Sequence, residues 1–364
     1  MDDDLGLAVS RVHCGLALFG RIWPGGSNEP LENGVLLVDP AGLVARIGPA
    51  AQVEVPTLYR RLGSPGHWVG PGVLDAHVHL AFGGPDQELR GGIVGVRDLG
   101  APLERALGWR TGPGTGAPYV AVAGPLLTAP GGYPASGWGA DGFASFVGSP
   151  AAAVAEVRRL AAAGVDVVKL ALEPAGGQRV PPPEVAAAVV RAAHEVGLAV
   201  VAHALSAAMV ERALDAGVDE LVHTPTERLS RELVDRLAAA PVRVVSTLET
   251  LCRDGDPGPA LNAKELVAAG VRLVYGTDLG NAGTKPGVDP RELRRLAAAG
   301  LGPQGALTAA TEGAAAAAGM AGPTGRLVAG ARAAAVVLVG DPLVDPDHWR
   351  EPVAVVGGDR LVAA

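Results

Sequence analysis

The apolar positions of this chain fall into two rhythms. Between about residues 5 and 68, short runs such as Gly34-Val35-Leu36-Leu37-Val38 and Leu43-Val44-Ala45-Arg46-Ile47 are broken by Gly, Pro and Asn. This pattern predicts strands and turns without a helix. The last forty residues read the same way, with Ala335-Val336-Val337-Leu338-Val339 and Val353-Ala354-Val355-Val356 ahead of a Gly357-Gly358 turn. Neither end can bury a good core alone. They are expected to pair as one small β-sandwich domain, residues 1–69 plus 325–364.

Residues 70–324 alternate buried strands with Ala-rich helices. Eight strands are predicted, at Gly72–His79, Ile93–Leu99, Tyr119–Leu127, Val165–Leu172, Ala199–Ala204, Glu220–His223, Val242–Thr247 and Arg272–Asp278. Helices are predicted at Ala151–Ala163, Pro183–Val196, Ala207–Ala216, Ser230–Ala239, Ala263–Ala269, Pro290–Ala299 and Pro303–Gly319. Pro183 and Pro290 suit helix openings, and Gly164, Gly197, Gly217, Gly270 and Gly300 suit stops. Strands alternating with helices imply a parallel sheet in an α/β fold. Eight units imply a closed (β/α)8 TIM barrel, with an open doubly wound sheet as the alternative.

In such a barrel, chemistry gathers where strands end. Strand one ends in His77-Val78-His79, and residues two apart on a strand share a face. Strands five and six end in His203 and His223, strand eight ends in Asp278, and strand four carries Lys169 inside an apolar run. Any one of these has an ordinary structural reading. Together they point to a metal site. Among 30 basic residues only Lys169, Lys264 and Lys285 are lysine, so a buried lysine stands out against a strong use of arginine. A buried amine of lowered pKa can react with carbon dioxide to give an anionic carbamate able to bridge two cations, which arginine cannot do. A Schiff-base lysine is the alternative, and it leaves the four histidines unused.

Composition narrows the class further. The net charge of −8 and a pI near 5.5 argue against nucleic acid. Cys14 and Cys252 fit a reducing compartment, although one bridge stays open. The start, Met-Asp-Asp-Asp, shows no basic segment followed by an apolar core, and no apolar run is long enough to cross a bilayer. The expectation is a cytoplasmic protein acting on a small molecule, with no membrane partner and with a homo-oligomer left open.

Taken as a set, these residues resemble the amidohydrolase superfamily, in particular its imidazolonepropionase-like and prolidase-like group. The resemblance rests on Pro-Gly-x-x-Asp-x-His-x-His at 71–79, Lys169, His203, His223 and Gly276-Thr277-Asp278. Val96-Arg97-Asp98, the 127–132 segment and Gly340-Asp341-Pro342-Leu343 add to it. It implies that His77, His79 and Asp278 hold one metal, His203 and His223 a second, and a carboxylated Lys169 bridges them. Zinc is favoured, with manganese, iron or cobalt as alternatives. It further implies hydrolysis of an amide, cyclic amide or dipeptide-type C–N bond by a metal-bridging hydroxide, with Asp278 as general base and acid. A lactonase or phosphotriesterase on the same centre is the alternative, and a metal-free binding scaffold is a third reading. Where the family's tail carries aspartate, this chain has Ala334, with local structural consequences expected. Tyr133, Trp138 and Asn281 are candidates for the substrate wall. Arg97 reads as an anion clamp or as half of an ion pair with Asp98.

Overall fold

Both ends of the chain enter one eight-stranded sheet. The computed structural model describes residues 8–11, 13–84, 86–110, 118–135, 137–320, 325–358 and 360–363, so the Met-Asp-Asp-Asp start lies outside it. Across the sheet the order is Ala8–Arg11, Arg360–Ala363, Ala354–Gly357, Ala334–Leu338, Arg60–Pro71, Leu16–Ile22, Leu31–Val38 and Val44–Pro49. Its pairs are antiparallel except that of Leu16–Ile22 with Arg60–Pro71. The two-residue period sends Leu16, Leu18 and Leu36 into one core, while Ala17, Val35 and Leu37 enter another. Ala334 is buried at the start of its strand, and its carbonyl accepts a hydrogen bond from Gly72 N at 3.0 Å. An alanine there leaves no carboxylate to be satisfied inside this packed sheet.

The middle of the chain is α/β with parallel strands. One sheet joins Val73–Val78, Ile93–Asp98 and Tyr119–Val122. The second runs Ala144–Phe146, Leu126–Thr128, Val167–Ala171, Ala199–His203, Glu220–Leu221, Arg243–Val245 and Arg272–Val274. Backbone bonds tie the two. Asp278 N donates to His77 O at 2.8 Å, His79 N to Leu279 O at 2.7 Å, and Asp166 N to Val122 O at 2.9 Å. Helices Pro150–Ala163, Pro183–Glu195, Ala207–Ala216 and Arg231–Ala239 lie close to their expected positions. Ser149 and Ser230 cap two of them by accepting from the amides of Ala152 and Leu233. Gly164 and Gly217 end two with φ of 90° and 82°, a conformation other residues resist.

Four expectations need correction. The strand predicted at Tyr119–Leu127 is two strands, because Gly124 turns at φ 71° between them. The helix predicted at Pro303–Gly319 is Gly302–Thr308 and Ala314–Ala318 with a wide turn, Ala309–Gly313, between. The helix predicted at Ala263–Ala269 starts earlier, at Gly258, with Pro259 in its first turn. Short helices Leu80–Gly83, Asp86–Arg90 and Leu103–Gly108 follow the first two strands, each too brief to show a period in sequence. Cys14 and Cys252 are both free, the first exposed and the second buried.

Glu88, on one of those short helices, is buried and accepts from Gly287 N at 3.0 Å. Burial pushes its carboxyl up to about 8. A folded-state pKa raised above its unfolded value of 4.5 makes stability fall as pH rises from about 4.5 through 8. Glu88→Gln removes that dependence. Urea unfolding at pH 5 and pH 8 is expected to show wild type losing more stability than the variant over this interval, and equal losses would refute it.

Candidate metal centre

The sequence signal was a set of strand ends, and the fold brings those ends together. His77, His79, Lys169, His203, His223 and Asp278 all line one cavity of about 360 Å³. Tyr133, Trp138 and Asn281 line it as well. These nine candidates share the cavity, while Arg97, the other candidate read from sequence, does not line it.

Each side chain is held by its local backbone. His77 Nδ1 lies 2.8 Å from Val222 O. A carbonyl can only accept, so Nδ1 carries the proton and the Nε2 lone pair faces the cavity. Nε2 of His77 stands 3.4 Å from Asp278 Oδ1, and Nε2 of His79 stands 3.3 Å from the same oxygen. Lys169 Nζ is 3.5 Å from His77 Nε2. The imidazoles of His77 and His223 have centroids 4.7 Å apart, as do those of His203 and His223. His223 Nδ1 meets Thr247 Oγ1 at 2.9 Å.

The site concentrates backbone strain. Thr247 has φ 44° and Asp278 has φ 58°. Positive φ is costly for a β-branched residue, and such strain collects at functional sites. At Asp278 it turns the carboxylate away from the strand line, while its amide still reaches His77 O. Asp75 anchors the same corner from below: its Oδ1 accepts from the amides of His77 (3.0 Å) and Thr277 (3.1 Å), and its Oδ2 accepts from Thr277 Oγ1 at 2.5 Å. Asp75 was visible in the sequence motif, but not its task of aligning two strand ends. Glu173 does similar work, taking the amides of Leu205 and Ser206 just past His203.

Electrostatics follow burial. Lys169 is 1% exposed, and desolvation brings its amine down to about 7. Burial likewise depresses His203 strongly and takes His223 to about 3, so both rings are neutral and able to donate a lone pair. Burial alone would raise Asp278, and positive charge beside it at His77 and His79 brings it well below the carboxylate range; with the His77 lone pair facing it, a cation at that point would supply the charge. Asp278 Oδ1 and His79 Nδ1 are buried without a hydrogen-bond partner. His77, His79 and Asp278 present ligand atoms within 4.8 Å of one another. Lone pairs converging on one point with no proton between them fit a divalent cation in place of that proton.

Arg97 is neither an anion clamp in the cavity nor a partner of Asp98. Its guanidinium is buried against Glu220, with bonds to Ala76 O at 2.9 Å and Ala317 O at 2.7 Å. Asp98 instead accepts from Leu80 N at 2.8 Å and Gly100 N at 3.2 Å. Adjacent residues on a strand point to opposite faces, which parts the two. Phe82, Leu126, Leu205, Thr250 and Leu251 also line the cavity and carry no sequence signal beyond their types.

Comparison with known proteins agrees with this geometry. The model of the amidohydrolase family matches residues 68–362. No curated protein matches the chain. Among solved structures, a protein provisionally assigned as a prolidase from Bifidobacterium longum is 27% identical, with a TM-score of 0.84 over 96% of this chain and 95% of that one. A Xaa-Pro dipeptidase with methionine bound in its active site is 20% identical, with a TM-score of 0.82 over 96% and 100%. Ochratoxinase from A. niger is also 20% identical, with a TM-score of 0.78 over 96% of each chain. At 20% identity the last two speak for the fold alone.

Proposed function

This chain belongs to the amidohydrolase family and is a hydrolase acting on carbon–nitrogen bonds, and from that premise we propose that it cleaves an amide, cyclic amide or dipeptide-type bond with Asp278 moving the proton. One observation carries the reading: a buried carboxylate oxygen stands between two imidazole nitrogens with no hydrogen bond of its own. His77, His79 and Asp278 would hold one divalent ion, and His203 and His223 a second. A carboxylated Lys169 would lie between them. Zinc suits imidazole and carboxylate donors, and manganese, iron and cobalt share them. Bound metal supplies Lewis acidity, which makes water a usable nucleophile near pH 7 and polarises the carbonyl.

The chain's own groups do the rest. Asp278 is ionised at neutral pH and takes a proton from the attacking water. Water oxygen bonds to the carbonyl carbon, the C–N bond breaks, and Asp278 returns the proton to the leaving nitrogen. Val222 O fixes the tautomer of His77, and Thr247 Oγ1 orients His223.

The same reading takes the parallel strands as a closed (β/α)8 barrel of residues 70–324, supported by the bonds between the first and last strands. It takes residues 1–69 with 325–364 as a β-sandwich, because Leu36 and Val44 share one core with Val356 and Leu361 from far along the sheet. Among the described residues no helix is long and apolar enough to cross a membrane. A cytoplasmic enzyme working on a small molecule, without nucleic acid or membrane, completes the proposal, with a homo-oligomer left open.

Metal analysis of protein purified without chelator is the test. About two equivalents per chain are expected, together with a carbamate carbon resonance after exchange into 13C-bicarbonate that disappears in Lys169→Met. Metal-free protein with an unmodified lysine would instead support a binding scaffold.

A further inference from the structure

Aromatic rings are scarce in this chain, yet four of them meet in one cluster, and three of these line the cavity. The sequence has 4 Phe, 4 Tyr and 5 Trp, and Ala, Val and Leu fill most of its cores. Phe82, Tyr133, Trp138 and Phe143 nevertheless form a continuous chain of contacts. Phe82 stacks on Phe143 with centroids 5.6 Å apart, and Trp138 meets Phe82, Tyr133 and Phe143 at 6.2, 6.1 and 6.0 Å. The cluster continues inward to the metal ligands. Tyr133 stacks on His203 at 4.9 Å, and Trp138 sets an edge against His79 at 5.2 Å. Phe82 lines the cavity and is 52% exposed, so part of its ring is free to meet a ligand.

Charge on the wall is as informative. Leu126, Leu205 and Leu251 complete the apolar side, and Thr250 and Asn281 are neutral. Among the described residues lining the cavity the one lysine or arginine is Lys169, which lies against His77. Carrying a carboxylate to the aromatic side of this space, away from the ions the histidines would hold, strips its hydration without offering a side-chain cation there. A flat, uncharged, apolar group meets complementary surface at Phe82, Tyr133, Trp138 and the three leucines.

We propose that the substrate is a neutral amide, urea or carbamate bearing an aryl or similarly flat apolar group, and that the cavity discriminates against free N-acyl amino acids and dipeptides. This rests on the hydrolase reading and narrows it. Water adds to the carbonyl carbon and the C–N bond breaks with the proton passing to nitrogen, so an amine leaves together with a carboxylic acid from an amide, a carbamic acid from a urea or a carbonic acid half-ester from a carbamate. Arg253 marks the competing possibility. It is exposed and outside the lining, with its guanidinium carbon 3.0 Å from where a side chain on Gly283 would begin.

A matched pair decides between them. N-acetylphenylalanine amide and N-acetylphenylalanine differ only in the neutral or charged end. Calorimetric binding and hydrolysis are measured on the protein as purified with its metal. The amide is expected to bind at least ten-fold more tightly and to lose its acetyl group, the one bond both ligands offer, with at least ten-fold higher kcat/KM. Phe82→Ala should weaken the amide about five-fold, and should weaken N-acetylalanine amide by less. Equal or tighter binding of the acid overturns the proposal, above all if Arg253→Ala removes it. Failure of both ligands to bind overturns it too. If the amide binds as expected and is never cleaved, the cavity preference stands and the hydrolase reading falls.

Discussion

Asp278→Asn is expected to lower kcat/KM about 10³-fold, within the range general acid–base catalysis supplies. Asparagine keeps the shape but cannot take a proton from water, and it offers a weaker oxygen between the His77 and His79 Nε2 atoms. Two measurements separate these causes. Metal content reports the ligand role, and turnover at restored metal reports the proton role. A variant within ten-fold of wild type at full metal content would remove Asp278 from the chemistry. Some metal loss is also expected, because Asp278 Oδ1 has no other partner to hold it in place.

The largest effect on stability is expected at Arg97→Met, at about 3–5 kcal/mol. Methionine follows the arginine stem but removes every donor. Glu220 then keeps only Arg243, at 3.3 Å, and the carbonyls of Ala76 and Ala317 lose their donor inside the core. Breaking one side of a buried pair costs more than replacing both. Arg97→Met with Glu220→Gln is therefore expected to recover at least about 1 kcal/mol of the loss in urea unfolding. A single variant losing less than about 1 kcal/mol would show that the pair contributes little.

The candidate ligand set was legible because a parallel strand must place its last residues at one end of the sheet. His77 and His203 lie in their strands, and His79, His223 and Asp278 lie one to four residues past theirs, so finding the strands was enough to group them. Lys169 was legible for another reason: an amine within Val167–Ala171 is costly to bury, and the chain otherwise uses arginine. The partner of Arg97 was not legible. Asp98 is its neighbour in sequence, while Glu220 lies 123 positions away and becomes adjacent only once the strands assemble. The positive φ of Thr247 was equally hidden, since nothing in a threonine announces a conformation it resists.

Sequence by itself determined the order of strands and helices, the end at which chemistry gathers, and the residue types able to hold a metal there. These depend on local period and on the cost of burying charge, which act wherever the chain goes. Tertiary structure alone decided which lone pairs meet at Asp278, how Asp75 and Thr277 align two distant strand ends, and that four scattered rings gather in one cluster. Those are distances between segments up to two hundred residues apart, and no local pattern encodes a distance across a fold.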